Sequence, residues 1–244
     1  MEEERVIAEQ DRKSAIGKMF DDIADRYDFL NHLLSFGMDR SWRAEAVRSV
    51  SERYENPEIL DVATGTGDLA ISAIKLNPRH VAGIDISEKM LEEARMKISK
   101  KGLSNTIEMI CGDSENIPFG DQTFDIAMIA FGVRNFSDRL KGLMEINRVL
   151  KEGGMIMVME FSLPDNFLFK QVYFFYFTKL LPLIGRIFSK NRTAYRYLPE
   201  SVMQFPDNEQ FVKLVAKAGF SGIEQKKLTR GIATIYTGFK TKVQ

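Results

Sequence analysis

Residues 61–70 read DVATGTGDLA. An apolar run, EILDVA (58–63), leads into Gly65 and Gly67, and a helical pattern follows over 68–76. Glycine lets a chain turn sharply from strand to helix and brings bare backbone close to a ligand. The stretch therefore predicts a β-strand, a glycine loop and a helix. The fold depends on whether that unit repeats.

It does repeat. VAGIDI (81–86) is a second strand, with Ser87 placed to cap a helix over 88–100 and Glu88 in its first turn. TIEMIC (106–111) is a third, and FDIAMIAF (124–131) a fourth, nearly all apolar as a strand covered on both faces must be. Ser137 or Asp138 caps a helix ending near Leu150, Gly153 and Gly154 stop it, and MIMVMEF (155–161) is the fifth strand. After a long aromatic segment come a helix near 207–218 and two strands, GIEQKKLT and ATIYTGFK, joined through Gly231. Upstream, residues 14–50 read as helices, with apolar residues three and four apart in MFDDIADRYDFLNHLLSF. Strands alternating with helices give an α/β, doubly wound, mostly parallel sheet of seven strands, Rossmann-like. The closing pair is joined too tightly for a crossover and is antiparallel. One domain over 1–244 is expected, with an N-terminal helical cap (1–50) and a helical lid insertion (163–205).

Bulk composition excludes several classes. The chain has 244 residues and is 44% hydrophobic; 34 basic residues balance 34 acidic ones. A neutral chain lacks the basic footprint of a nucleic-acid binder, so no nucleic-acid partner is expected. A lone Cys111 forms no internal disulfide and suits a reducing cytosol. The acidic start MEEERVIAEQ has no apolar core of a secretory signal, and a cytoplasmic protein is expected. No cluster of cysteine or histidine has ligand spacing, so no metal is expected. A homo-oligomer is left open.

In folds of this kind ligands sit at the carboxyl ends of the strands, where the glycine loop lies. Read as G-x-G-x-x-A, the loop matches a dinucleotide fingerprint, and Asp85 lies about 20 positions on, where an acid meets a ribose hydroxyl. Hydride chemistry also needs a proton donor. His80 reads as a surface residue before a strand, and Tyr236 and Lys240 are four apart in a strand, not on one helix face. An NAD(P)-linked oxidoreductase is thus the lesser reading. A non-catalytic lipid-quinone binder with a relic cofactor site is a third.

The residues resemble a known family. ILDVATGTGDLA is similar to the first motif of class I S-adenosylmethionine methyltransferases, with Ala63 in place of its first glycine. GIDIS (83–87) resembles the second motif, and GDSENIPF (112–119) the loop that brackets the adenine. YDFLNHLLSFGMDRSW (27–42), FGVRNFSD (131–138), RVLKEGGMIMVMEFS (148–162) and YRYLPESV (195–202) narrow the resemblance to the ubiquinone/menaquinone biosynthesis C-methyltransferases. Departures are Leu30 for methionine, Asp39 for histidine and Glu152 for proline.

The resemblance implies S-adenosyl-L-methionine as cofactor and methylation of a ring carbon of a prenylated quinol, demethylmenaquinol to menaquinol. An alternative is another small hydrophobic acceptor. It places Gly65, Thr66, Gly67 and Asp61 along the methionine moiety. Asp85 takes the ribose hydroxyls, Asp113 and Ser114 the adenine, with Ile86 as apolar wall, and Ala130 and Phe131 lie beside the sulfonium. Arg134, charged at any working pH and expensive to bury unpaired, is assigned to phenolate stabilisation. Asn135 orients a ring oxygen. Tyr27 and His32 are candidate proton handlers or ring contacts, and Asp28 and Asp39 candidate bases.

The segment FLFKQVYFFYFTKLLPLIGRIF (167–188) carries only basic charges, Lys170, Lys179 and Arg186. Those charges, with Pro182 and Gly185, disfavour a bilayer span. A lid that accepts the prenyl tail and touches the inner membrane face as a peripheral contact is expected instead.

Overall fold

The computed structural model describes residues 2–51, 53–164, 171, 192–206 and 208–241. Seven strands form one sheet: β1 (Glu58–Val62), β2 (His80–Asp85), β3 (Ile107–Cys111), β4 (Phe124–Ala130), β5 (Leu150–Phe161), β6 (Phe220–Leu228) and β7 (Ala233–Lys240). Their order is β3-β2-β1-β4-β5-β7-β6. All pairs are parallel except those of β7, which lies antiparallel between β5 and β6. This is the expected doubly wound sheet.

Residue alternation along β1 shows why the strand is apolar throughout. Ile59 faces one buried cluster; Leu60 and Val62 face another on the opposite side of the sheet. The first cluster takes in Leu69, Ala70, Leu91 and Ala94, from α4 (Asp68–Ala73) and α5 (Glu88–Lys100). The second takes in Leu143 and Ile146 from α6 (Arg139–Val149). Ser87 caps α5 through the Met90 N–H at 3.3 Å. Of the two candidates for α6, Asp138 caps it, accepting from the Lys141 N–H at 3.0 Å.

The start of β5 differs from the sequence expectation. Gly153 and Gly154 do not stop α6, which has ended at Val149; β5 begins at Leu150 and the glycines lie inside it. Pairing with β4 shifts register between Phe124–Leu150 and Ile126–Met155. Gly153 takes φ +72° in this irregular stretch. A Cβ on Gly154 would lie 2.8 Å from the Lys151 carbonyl oxygen. The glycines thus serve a bulge, where backbone comes too close for side chains.

Three helices precede the sheet: α1 (Glu2–Asp21), α2 (Ala24–Leu34) and α3 (Met38–Arg48), the first beginning well before the expected residue 14. Trp42 of α3 is buried, and its indole N–H donates to Thr229 Oγ1 at 2.8 Å. Its ring packs on Phe131 and Phe161 at the ends of β4 and β5, at 6.0 and 6.3 Å between centroids. Between β5 and β6 the described residues hold two further helices, α7 (Arg192–Met203) and α8 (Asn208–Lys217). Segment 167–188, apart from Gln171, lies outside the described residues.

Candidate active site

The parallel order reverses between β1 and β4, and ligands bind in the crevice outside such a switch point. A cleft opens there. Its floor comes from the ends of β1, β2 and β4, including Gly65, Asp85 and Ala130; α1 and α2 roof it with Ile16, Phe20 and Tyr27. Ile86, Asp113, Ser114, Phe131 and Asn135 also face it. Sequence positions far apart are thus brought to one wall.

The glycine loop is held by carboxylates. Asp85 Oδ2 accepts from the Gly65 N–H and Oδ1 from the Ser87 N–H, both at 2.9 Å. Burial pushes the Asp85 carboxyl up, and its backbone hydrogen bonds oppose that shift. Asp61 is buried, and its Oδ2 accepts from Thr64 Oγ1 at 2.6 Å and the Ala70 N–H at 3.0 Å. Burial pushes Asp61 up to about 7. Its Oδ1 is buried with no hydrogen-bond partner.

Ala63, in place of the first glycine, keeps a left-handed backbone with φ +53°. Its methyl lies where a Cβ on Gly132 would stand, 2.6 Å away. The side chain lost at 132 makes room for the one gained at 63.

Three expected cofactor residues lie elsewhere than on the cleft wall. Asp61 braces the loop from behind. The Thr66 hydroxyl donates to Asp28. Gly67 packs on α5, where a Cβ would meet Ala94 Cβ at 3.2 Å.

The adenine-bracketing loop carries a network that spacing did not reveal. Lys13 of α1 reaches Asp113 Oδ2 at 2.6 Å and Glu115 Oε2 at 2.8 Å. Buried Glu115 also accepts the Ser137 and Asp138 N–H groups with Oε1, at 2.7 and 3.0 Å. One carboxylate thereby ties the roof to both flanking loops.

Arg134 has an acid partner that the sequence reading did not include. It does not line the cleft, and its guanidinium is not unpaired. Nη1 lies 2.9 Å from Glu160 Oε1 and also donates to the Phe131 carbonyl, while the Arg134 N–H donates to Glu160 Oε2. Glu160 was missed; its one signal is an acid that follows the apolar run MIMVM (155–159). Tyr27 faces the cleft, edge-on to Phe20 at 6.0 Å. Burial pushes its phenol up, against the nearby Arg134 charge and a hydrogen bond with Asn31.

The other acid–base candidates form a separate ionic chain. His32 Nδ1 lies 2.5 Å from Asp39 Oδ2, and Arg43 bridges Asp39 at 2.8 Å and Asp68 at 3.1 Å. Lys97 joins Asp68 to Asp28, both at 2.6 Å. Burial alone would raise Asp39, but Ser35, Arg43 and His32 hold its carboxyl below the ordinary value. His32, Asp39 and Asp68 bring ligand atoms within 4.8 Å of one another. Arg43 already supplies the positive charge between the carboxylates. His80 opens β2 near Glu58 and Glu108. Tyr236 donates to Asn208 and Lys240 to the Leu150 carbonyl, so the two do not act together.

Sheet order, glycine loop, paired acids and cleft together define a class I S-adenosylmethionine-dependent methyltransferase. The chain resembles a possible histamine N-methyltransferase from Thermotoga maritima at TM-score 0.64 and 20% identity, covering 92% of this chain and 99% of that one. It also resembles the [4+2]-cyclase SpnF at TM-score 0.69 and 17% identity, covering 95% and 97%. At such identities the likeness shows the fold alone.

Sequence relatives narrow it. Residues 6–240 match the ubiE/COQ5 methyltransferase family, and the chain belongs to that family. It is 50% identical over 227 residues to the ubiquinone/menaquinone biosynthesis C-methyltransferase UbiE of Geotalea daltonii, covering 92% of this chain and 96% of the relative. It is 43% identical over 230 residues to the demethylmenaquinone methyltransferase of Bacteroides fragilis, covering 94% of each. The cofactor is S-adenosylmethionine, and the hydride-transfer reading falls.

The donor set fits that cofactor. Asp85 and Asp113 suit ribose hydroxyls and an adenine amine, Ile86 an adenine face.

Proposed function

We propose that this chain methylates a ring carbon of a prenylated demethylquinol, the naphthoquinol first. The observation that carries the reading is the cleft wall itself: Tyr27 and Asn135 meet Ala130 and Phe131 at the end of β4. When bound, S-adenosylmethionine supplies an electrophilic methyl on a sulfonium.

The protein's own part is positional and electrostatic. Gly65, Asp85, Ile86, Asp113 and Ser114 hold the cofactor, with Asp61 bracing the loop. Asn135 donates a hydrogen bond to the ring oxygen, favouring the phenolate that makes the adjacent carbon nucleophilic. Tyr27, kept a neutral phenol by burial, is a hydrogen-bond donor or ring contact. Arg134 and Glu160 form a buried pair behind the wall, so the arginine does not touch the ring. Phe20 and Phe131 keep water from the reacting carbon.

Among the described residues no helix is long and apolar enough to cross a membrane. The composition of 167–188 supports a peripheral contact that receives the prenyl tail, with 192–203 continuing that lid. Association into homo-oligomers is compatible with this reading. The deciding experiment is methyl transfer from labelled S-adenosylmethionine to a demethylnaphthoquinol and to a benzoquinol. Turnover on the first supports the proposal; no transfer to either quinol overturns it.

A further inference from the structure

Asn135 ends the short turn Val133–Asn135 that follows β4, and it is a polar side chain of the cleft wall beside Ala130 and Phe131. Its Oδ1 accepts the Tyr197 O–H at 3.0 Å. Tyr197 belongs to α7, whose Leu198 and Val202 pack with Ile23, Ala24 and Met90 beneath α1 and α2. The two residues are 62 positions apart, so only the folded chain joins them.

An amide presents two N–H donors on one side and a single acceptor oxygen on the other. Which side faces a substrate decides the sign of the interaction. A carbonyl oxygen repels a phenolate; an N–H stabilises it. Backbone packing does not choose, because the two orientations have the same shape. A tyrosine hydroxyl both donates and accepts, so it chooses only where its lone pairs are otherwise engaged. Arg139 adds to the bias: its Nη2 donates to the Arg134 carbonyl at 3.2 Å, and its charge interacts with Tyr197. A cation near the phenol draws its lone pairs and leaves the O–H for Asn135.

We propose that Tyr197 is a positioning residue that fixes the Asn135 amide with its Nδ2–H toward the cleft, so that the site selects an acceptor presenting a phenolate oxygen next to the methylated carbon. This rests on the quinol reading above. The two can fail separately.

The test uses the full chain saturated with S-adenosylhomocysteine, with 1-naphthol as a fluorescent phenol probe, and turnover on a demethylnaphthoquinol in parallel. Asn135→Asp keeps an acceptor for Tyr197 and replaces the donor with a second oxygen. It should keep the wild-type melting temperature yet lower kcat by about 100-fold or more. It should also reverse the pH dependence of naphthol binding. Wild type binds the probe more tightly as pH rises toward its ionisation; the variant should bind it more weakly. Tyr197→Phe frees the amide to turn. It should lower kcat about 10-fold with KM for S-adenosylmethionine unchanged, and flatten the naphthol profile.

Wild-type turnover in Asn135→Asp overturns the proposal. So does a Tyr197→Phe variant that loses stability but keeps kcat and the probe's pH profile, since Tyr197 then only docks α7. If Asn135→Asp does not fold, the Tyr197→Phe profile alone decides. A wild-type enzyme that methylates no quinol, yet binds naphthol with the expected profile, overturns the substrate reading and keeps the amide orientation.

Discussion

Arg134 Nη1 lies 2.9 Å from Glu160 Oε1, with Glu160 wholly buried and Arg134 only 6% exposed. Removing one partner of a buried pair leaves an uncompensated charge, at roughly 3–5 kcal/mol. Arg134→Met should therefore destabilise the fold by about that amount, read from denaturant midpoints. Arg134→Met with Glu160→Gln should recover most of it. Equal stability of Arg134→Met and wild type would show that Glu160 is satisfied without the guanidinium. Only the double variant can report a catalytic role, because the single one confounds folding with chemistry.

Ala63 and Gly132 form a matched pair. A Cβ on Gly132 would stand 2.6 Å from Ala63 Cβ, so Gly132→Ala should cost about 1–3 kcal/mol by overpacking. Ala63→Gly removes the obstructing methyl and relieves a left-handed alanine. It should stabilise by up to about 1 kcal/mol. The double exchange should be milder than Gly132→Ala alone. Strict additivity in this cycle would disprove the contact.

Asp61 should make the stability of the cofactor-free protein depend on pH. Its folded carboxyl is pushed up to about 7, above the ordinary 3.8. The folded state then binds the proton more tightly than the unfolded chain. This contribution is fully present below about pH 4 and is lost as pH rises through 7. Between pH 5 and 8 wild-type stability should fall relative to Asp61→Asn, which lacks the titration. Parallel stability curves for the two proteins would exclude Asp61 as the source.

Asp85 holds the glycine loop through the Gly65 N–H and is proposed to take the ribose as well. Asp85→Ala should weaken S-adenosylmethionine binding by roughly 1–3 kcal/mol, the cost of leaving polar partners unpaired, as measured by titration calorimetry. An unchanged affinity removes Asp85 from the ribose.

Segment 167–188 has only basic charges, so the protein should co-sediment with anionic liposomes, less as salt rises. Replacing Lys170, Lys179 and Arg186 with Gln should slow turnover on long-chain quinols more than on a tail-less one. An equal loss on both would mean the segment only packs the core.

The amino-acid sequence by itself determined the strands, the order of strand and helix, the glycine loop and the family motifs. Those features are local: apolar period, a Ser87 cap, glycines where the backbone must turn. Gly65, Asp85, Ile86, Asp113, Ser114, Ala130 and Asn135, most of them picked out by the family resemblance, line the crevice on which the strand ends of this fold converge. Partnership was not legible. Glu160 of β5 neutralises Arg134 of the turn after β4, Lys13 reaches Asp113 across 100 positions, and Tyr197 reaches Asn135 across 62. A carboxylate in sequence shows its charge but not what faces it. Which acids serve the cleft and which, like Asp39 and Asp28, close ion pairs behind it was decided by packing alone, because a buried charge is set by the groups that the tertiary fold brings within a few ångströms.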